Sequence, residues 1–188
     1  AGETIKHIGT VVHRCIHWMA DEYFESWDER KIEKSQHLYR RFLKQLGVPD
    51  KELPRSARQV QQALTNMLTH QRGQWLFSKD HKEARNEYAI GGVYQDKIVK
   101  VILDRTFIDK EGTRWVVDYK TSRHEGADID AFLDQQQQRY RQQLEKYAEL
   151  ISAMEDRPIK LGLYFPLLQG WREWKYNWGQ TRIYEKNN

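Results

Sequence analysis

The chain has 188 residues, 39% of them hydrophobic and 31% charged, a composition that predicts one folded, water-soluble domain. No apolar run approaches the length of a membrane span and no signal-peptide pattern is present, so we expect neither a membrane protein nor an exported one. The single cysteine, Cys15, excludes a disulfide framework and a four-cysteine iron–sulfur cluster, and it indicates a reducing compartment. The net charge of +4 permits nucleic-acid binding without requiring it.

The first part of the chain has the pattern of helices. Apolar residues recur every three or four positions in three segments, which predicts helices over residues 5–27, 34–46 and 56–71. Thr10 is a candidate N-cap for the main part of the first helix, and Ser56 is a candidate N-cap for the third. Basic side chains in this region either lie on solvated helix faces or belong to a helical cap that contacts phosphates. These residues are Arg41, Lys44, Arg55 and Arg58.

Strands are predicted next. Residues 84–93 read as a first strand that ends in a Gly91-Gly92 turn. Two runs rich in β-branched residues, 99–108 and 115–119, flank the turn signal Asp-Lys-Glu-Gly at 109–112. This pattern predicts an antiparallel hairpin.

The hairpin carries charges that strands normally avoid. Asp104 is in its first strand, and Asp118 and Lys120 end the second with their side chains on one face. A turn centred on residues 110–111 would pair Asp104 slightly short of Asp118, and a bend or bulge would bring the two carboxylates together. Two carboxylates and a lysine suit a divalent cation and a water nucleophile. The alternative is an edge hairpin with an exposed Asp–Lys pair.

The second half of the chain returns to a helix and then to strands. Apolar periodicity predicts one long helix over residues 130–155 and an apolar strand over 159–166. Residues 171–178 read as a final hairpin in which Trp174, Tyr176 and Trp178 alternate to one face. These aromatic rings either cover the sheet or stack on bases.

The hairpin resembles the nuclease domain of RecB and AddA, which are members of the PD-(D/E)xK superfamily. Residues 103–105 (Leu-Asp-Arg) and 117–122 (Val-Asp-Tyr-Lys-Thr-Ser) match the family pattern of an Asp in one strand and Asp-Tyr-Lys-Thr ending the next. Residues 9–13 (Gly-Thr-Val-Val-His) match the element of the first helix whose histidine binds the metal. Gln143 and Tyr147 match a Gln-xxx-Tyr motif on the helix after the strand.

Two parts of this match have an alternative interpretation. Gln136 and Tyr140 have the same spacing as Gln143 and Tyr147, but the residues around the later pair fit the family better. His13 and His17 have the i, i+4 spacing of a zinc pair, although no Glu follows His13 as a zinc motif would require. A zinc-dependent hydrolase is therefore the weaker interpretation of these histidines.

The resemblance implies an α/β fold with a restriction-endonuclease-like core, a central mixed sheet flanked by helices, and an N-terminal helical region. It implies a DNA nuclease of the exodeoxyribonuclease type that uses Mg²⁺ or Mn²⁺. His13, Asp104, Asp118 and the backbone carbonyl of Tyr119 would hold the metal, with Glu87 as an additional candidate. Lys120, Gln143 and Tyr147 would complete the catalytic residues, together with the two aspartates.

The resemblance also implies partners and a location. We expect the substrate to be single-stranded DNA, and the helicase domains of the same chain and other subunits of a helicase–nuclease to be partners in DNA repair and recombination. We expect a bacterial cytoplasmic, nucleoid-associated protein. Because the chain begins at Ala1 without Met, we also expect a single nuclease domain, 1–188, cut from a longer protein. The alternative function is a non-catalytic nuclease-fold module that binds DNA or acts as a scaffold.

Overall fold

The N-terminal part of the chain is helical in the computed structural model, which describes residues 2–124 and 126–177. The helices before the first strand are α1 (Gly2–Asp21), α2 (Glu29–Lys34), α3 (Gln36–Gln45), α4 (Leu53–Thr69) and α5 (Gln71–Leu76).

The first predicted helix is shorter than expected at its end and longer at its start. It ends at Asp21, and Tyr23 has a positive φ of 69° that leads into a 3₁₀ helix over Phe24–Ser26. Thr10 is not a cap, because it lies inside α1, where its Oγ1 donates to the Lys6 carbonyl at 3.1 Å. The helix therefore starts well before the predicted Gly-Thr element.

The other helical predictions also need correction. The helix predicted over residues 34–46 is preceded by a separate helix, and the two are divided at Ser35, whose Oγ donates to the Lys31 carbonyl at 2.9 Å. Ser56 does not cap α4, because α4 starts at Leu53 with Pro54 in its first turn and Ser56 is buried inside it. Proline at this position needs no helical N–H partner, so it favours the earlier start.

The later part of the chain contains five strands and one long helix: β1 (Lys82–Tyr94), β2 (Lys97–Ile108), β3 (Arg114–Tyr119), α6 (Ile129–Ser152), β4 (Ile159–Phe165) and β5 (Gly170–Lys175). The five strands form one sheet of order β1-β2-β3-β4-β5 among the described residues. β1 pairs with β2, and β2 with β3, in antiparallel register. The Arg114 N–H donates to the Pro158 carbonyl at 2.9 Å and the Lys120 N–H donates to the Tyr164 carbonyl at 2.8 Å, so β3 and β4 run in parallel. The sheet is mixed, which confirms the predicted α/β fold.

The turn predicted at Gly91-Gly92 is wrong. Both glycines lie within β1, and the chain turns instead at Gln95 and Asp96, whose φ angles are 49° and 59°. Two successive positive φ angles are the mark of a type I′ hairpin turn. A Cβ at Gly92 would lie 2.9 Å from Leu150 Cδ2, so the glycine serves the packing of α6 on β1.

The turn between β2 and β3 is longer than predicted. Asp109 Oδ1 accepts from the backbone N–H groups of Glu111 and Thr113 at 3.0 and 2.9 Å, and Gly112 takes the positive φ of 81°. Ile108 therefore pairs with Arg114 rather than with Thr113. The observed register differs by one residue from the register that a turn centred on residues 110–111 would give.

The remaining elements agree closely with the predicted ones. α6 begins after Asp128, whose Oδ1 accepts from the Ala131 N–H at 2.9 Å, and it ends near the predicted position. β4 stops at Phe165, because Pro166 starts a short 3₁₀ helix. The predicted final hairpin corresponds to β5, and its Trp178 lies outside the described residues.

The described chain divides into two compact units. The first contains residues 2–79, 119–127 and 164–171, and the second contains residues 80–118, 128–163 and 172–177. Helices α1 to α5 belong to the first unit, while β1, β2 and α6 belong to the second. None of the helices within residues 2–124 and 126–177 is long and apolar enough to span a membrane.

Candidate active site

Asp104 and Asp118 lie on neighbouring strands of one hairpin. β2 and β3 are paired as far as Arg105 and Val117, and the next position in that register sets Asp104 opposite Asp118. Residues opposite each other in an antiparallel pair share a sheet face. Asp118 is 5% exposed and Asp104 is half-buried. Two ionised carboxylates in such positions repel each other and favour a bound cation.

Tyr147 of α6 is electrostatically coupled to both carboxylates. Gln143 Nε2 donates to Tyr147 Oη at 2.8 Å. Burial raises the pKa of Tyr147 to about 12, and the negative charges of Asp118 and Asp104 act in the same direction. The phenol therefore keeps its proton at neutral pH and is able to donate a hydrogen bond to an anionic oxygen. The second unit thus brings together four of the predicted site residues.

This coupling predicts a measurable titration. Asp118→Asn removes one negative charge that holds the Tyr147 proton, so we expect the pKa of Tyr147 to fall from about 12. Tyrosine ¹³C NMR measures this pKa, with Tyr147→Phe to assign the resonance and Asp134→Asn as a control on an exposed carboxylate of α6. An unchanged Tyr147 pKa in Asp118→Asn would show that the two groups are not coupled.

The sign of the effect on stability follows from the same shift. The folded pKa of Tyr147, about 12, exceeds the unfolded value of about 10, so the folded chain holds this proton more tightly. The contribution is fully present below about pH 10 and is lost as the pH rises towards 12. Activity near neutral pH is therefore independent of this ionisation.

His13 of α1 contacts the last residue of β3. Its Nε2 lies 3.0 Å from the Tyr119 carbonyl oxygen. Because a carbonyl oxygen only accepts, Nε2 carries the proton in this contact. The His13 and Tyr119 rings also pack edge to face, with centroids 5.8 Å apart. The first unit thus joins two of the predicted metal ligands.

Two further contacts fix the chain after Tyr119. A Cβ at Gly9 would lie 2.6 Å from Thr121 Oγ1, so the glycine allows α1 to come this close. The Lys120 N–H donates to the Tyr164 carbonyl at 2.8 Å, which holds the lysine backbone against β4. Sequence reasoning missed the supporting roles of Thr121 and Tyr164. The glycine inside a helical pattern was an available signal for the first, whereas the apolar strand around Tyr164 offered none for the second.

The contact between His13 and Tyr119 has the spacing of two ligands of one hard divalent cation. Two ligand atoms about 2.1 Å from one ion and at right angles are about 3.0 Å apart in octahedral coordination, and His13 Nε2 and the Tyr119 oxygen are 3.0 Å apart. Asp118 precedes Tyr119 directly in the chain and stands in register with Asp104. Across residues 2–124 and 126–177, no three His, Cys, Asp or Glu side chains form a metal-binding group by themselves.

Glu87 and His17 differ in their local geometry from the other predicted site residues. The pairs on either side of Glu87 keep it in register with Asp104, but its φ of 44° interrupts the ladder and its side chain is exposed. A positive φ at glutamate costs about 1–3 kcal/mol, and such backbone strain tends to cluster at functional sites. Its role as a ligand remains a prediction. His17 Nε2 lies 3.2 Å from Asp21 Oδ2, a contact between side chains one turn apart on α1.

The fold is α/β, with a mixed sheet flanked by helices and a hairpin that ends in Asp-Tyr-Lys. This combination is consistent with a nuclease fold. Residues 2–179 match the family described as the PD-(D/E)XK nuclease superfamily. The match covers nearly the whole chain, so the protein belongs to the PD-(D/E)XK nuclease superfamily. None of the curated proteins compared with the chain matches it. Nuclease activity and divalent-metal use are general properties of this superfamily.

Proposed function

We propose that the protein is a Mg²⁺- or Mn²⁺-dependent deoxyribonuclease of the exonuclease type, and that it is the nuclease module of a RecB-like helicase–nuclease. The observation that carries the proposal is the 3.0 Å contact between His13 and the Tyr119 carbonyl. It joins the histidine of the first helix to Tyr119, the residue between Asp118 and Lys120 in the sequence. Superfamily membership and the net charge of +4 support a DNA substrate.

The proposed metal ligands are His13, Asp104, Asp118 and the Tyr119 carbonyl. Carboxylate and carbonyl oxygens suit Mg²⁺, and an imidazole nitrogen beside them is better suited to Mn²⁺. When bound, the cation supplies Lewis-acid polarisation of a phosphate and makes water a stronger acid. Coordination through Nε2 requires its lone pair, so the ion replaces the Nε2 proton that is shared with the Tyr119 carbonyl, and the neutral ring carries its proton on Nδ1.

The other predicted residues act directly on the substrate. Lys120 supplies a positive charge for the phosphate as negative charge builds on it, and it orients the attacking water. The Lys120 backbone N–H donates to the Tyr164 carbonyl, and this hydrogen bond fixes the position from which the Lys120 side chain extends. Tyr147 remains protonated at neutral pH and donates to a phosphate oxygen, and Gln143 fixes the phenol by donating to its oxygen.

The helicase part of the proposal rests on the four motifs that occur in the order of RecB-like nucleases. These motifs lie at residues 9–13, 103–105, 117–122 and 143–147. By this analogy a motor domain and other subunits deliver single strands during DNA repair and recombination. A full-length chain that unwinds DNA with ATP would support this assignment, and one without a motor domain would contradict it.

The two histidines of α1 provide a matched test of the ligand set. His13→Ala should weaken Mn²⁺ binding by at least about tenfold, because it removes one ligand. His17→Ala should leave binding unchanged, because His17 pairs with Asp21 instead. Isothermal titration with Mn²⁺ measures both affinities, and circular dichroism checks the fold. Equal losses in the two variants would favour the zinc-type interpretation over ours.

A further inference from the structure

A separate cavity lies within the first unit, where α1 meets the start of α4. Its volume is about 670 Å³, which is large enough for a ligand of moderate size. Its walls include two arginines, two isoleucines and two side chains with acceptor oxygens. These residues are Arg55, Arg123, Ile5, Ile8, Glu52 and Gln59.

The cavity offers positive charge at its rim. Arg55 on the first turn of α4 is exposed, and Arg123, in the loop after Lys120, is half-buried. A guanidinium group binds phosphate oxygens through paired N–H donors. Two such groups around one cavity favour an anionic ligand, and a phosphate monoester or diester matches their geometry.

The same cavity requires hydrogen-bond donors from its ligand. Gln59 Oε1 is buried and has no hydrogen-bond partner among the described residues. Glu52, the residue that precedes α4, accepts the Thr4 hydroxyl at 2.7 Å, and a carboxylate has the capacity to accept further hydrogen bonds. A buried acceptor without a donor destabilises the folded chain. A ligand that carries N–H groups as well as negative charge removes that cost.

The third property of the cavity is its apolar wall. Ile5 and Ile8 lie one turn apart on α1, and Ile5 remains 46% exposed despite its aliphatic side chain. A flat, weakly hydrated ring placed against these two side chains would remove apolar surface from water. Phosphate, N–H donors and a flat ring occur together in a nucleotide whose base carries an amino group.

The position of the cavity relates it to the proposed site. Along α1, His13 contacts Tyr119 and Gly9 approaches Thr121. The cavity follows at Ile5, eight residues before His13, a separation of about 12 Å at 1.5 Å per residue. The segment 119–123 thus leads from the Tyr119 carbonyl to Arg123.

We propose that this cavity binds one nucleotide of the DNA strand at a distance from the cleaved bond, and this inference rests on the proposed nuclease function for its choice of DNA. Arg55 and Arg123 contact the phosphate, Ile5 contacts the base, and the oxygens of Glu52 and Gln59 accept from the base N–H groups. Guanine presents adjacent N–H donors, so deoxyguanosine monophosphate (dGMP) is the best-matched mononucleotide.

Calorimetric titration of the full chain with dGMP in EDTA tests this proposal without any metal. Arg55→Ala and Glu52→Gln should each weaken dGMP binding by at least about tenfold, on the scale of one charge-assisted contact. Arg58→Ala is the matched control, because Arg58 is exposed on α4 but does not line the cavity, and it should bind dGMP as the wild type does. Equal effects of Arg55→Ala and Arg58→Ala would overturn the proposal.

Gln59→Leu separates binding from folding. Leucine removes the unpartnered oxygen at similar volume, so thermal stability should stay equal or rise while dGMP binding falls several-fold. A variant that loses stability and keeps dGMP affinity would show that Gln59 serves the fold and would overturn its assigned contact.

Competition experiments identify the ligand. Inorganic phosphate should displace dGMP only at much higher concentration, and equal competition would reduce the cavity to a simple anion site. A short single-stranded oligonucleotide should displace dGMP, whereas simultaneous binding of both would overturn the strand assignment. Asp118→Asn should abolish cleavage and leave dGMP binding intact, so failure of the proposed function and failure of this cavity give different results.

Discussion

Asp118→Asn should reduce the rate of Mg²⁺-dependent cleavage of single-stranded DNA by at least about a thousandfold. This loss is larger than the one expected from removing a single electrostatic donor. The side chain is almost fully buried and stands in register with Asp104, so its removal takes away one proposed ligand and relieves charge repulsion. The melting temperature should therefore stay equal or rise.

The control for this experiment is Asp50→Asn. Asp50 is exposed and forms a surface ion pair with Lys44, so its replacement should leave the rate unchanged. Cleavage is measured with an end-labelled oligonucleotide under single-turnover conditions, and melting is followed by calorimetry. A rate in Asp118→Asn close to that of the wild type would contradict the assigned metal ligands.

Lys120→Ala should lower the cleavage rate by about a hundredfold or more, which corresponds to about 2.7 kcal/mol of lost transition-state stabilisation. The ammonium group is not a proposed ligand, so Mn²⁺ affinity should be unchanged. Lys100→Ala, which removes an exposed lysine of β2, is the matched control and should have the wild-type rate.

The two readouts for Lys120 separate catalysis from structure. A slower rate with unchanged Mn²⁺ affinity supports direct action on the phosphate. Loss of both rate and metal affinity would assign the Lys120 side chain a structural role.

The central hairpin was the part of the fold that the sequence predicted best. Its β-branched runs were expected at residues 99–108 and 115–119, and the structure has β2 at Lys97–Ile108 and β3 at Arg114–Tyr119. Strand propensity and a glycine at the positive φ of the turn act locally, so they are visible in the sequence. The register was wrong by one residue, because the Asp109 side chain holds a wider turn.

The other hairpin shows where local signals mislead. Gly91-Gly92 has the composition of a turn, yet Gly92 makes room for Leu150 of a helix distant in sequence. The real turn uses Gln95 and Asp96 at positive φ, an uncommon choice for glutamine. The approach of Leu150 to Gly92 joins residues 58 positions apart, so local sequence composition does not reveal it.

The candidate site depended on resemblance more than on pattern. The contact between His13 and Tyr119 joins residues 106 positions apart, and helical periodicity alone made His13 only a polar neighbour of the apolar stripe. The spacing of Gln143 and Tyr147 was local and equal to that of Gln136 and Tyr140, so flanking residues had to distinguish the pairs. The hydrogen bond between Gln143 and Tyr147 is consistent with the choice of the later pair. No motif in the sequence pointed to the cavity of Arg55 and Arg123.

Anomalous diffraction from a crystal soaked in Mn²⁺ tests the proposed metal site most directly. We expect one strong peak within coordination distance of His13, Asp104, Asp118 and the Tyr119 carbonyl oxygen. The Asp118→Asn crystal, soaked in the same way, should lose most of that peak. A manganese ion held by His13 and His17 away from both aspartates, or no ion beside the aspartates at saturating Mn²⁺, would contradict the account.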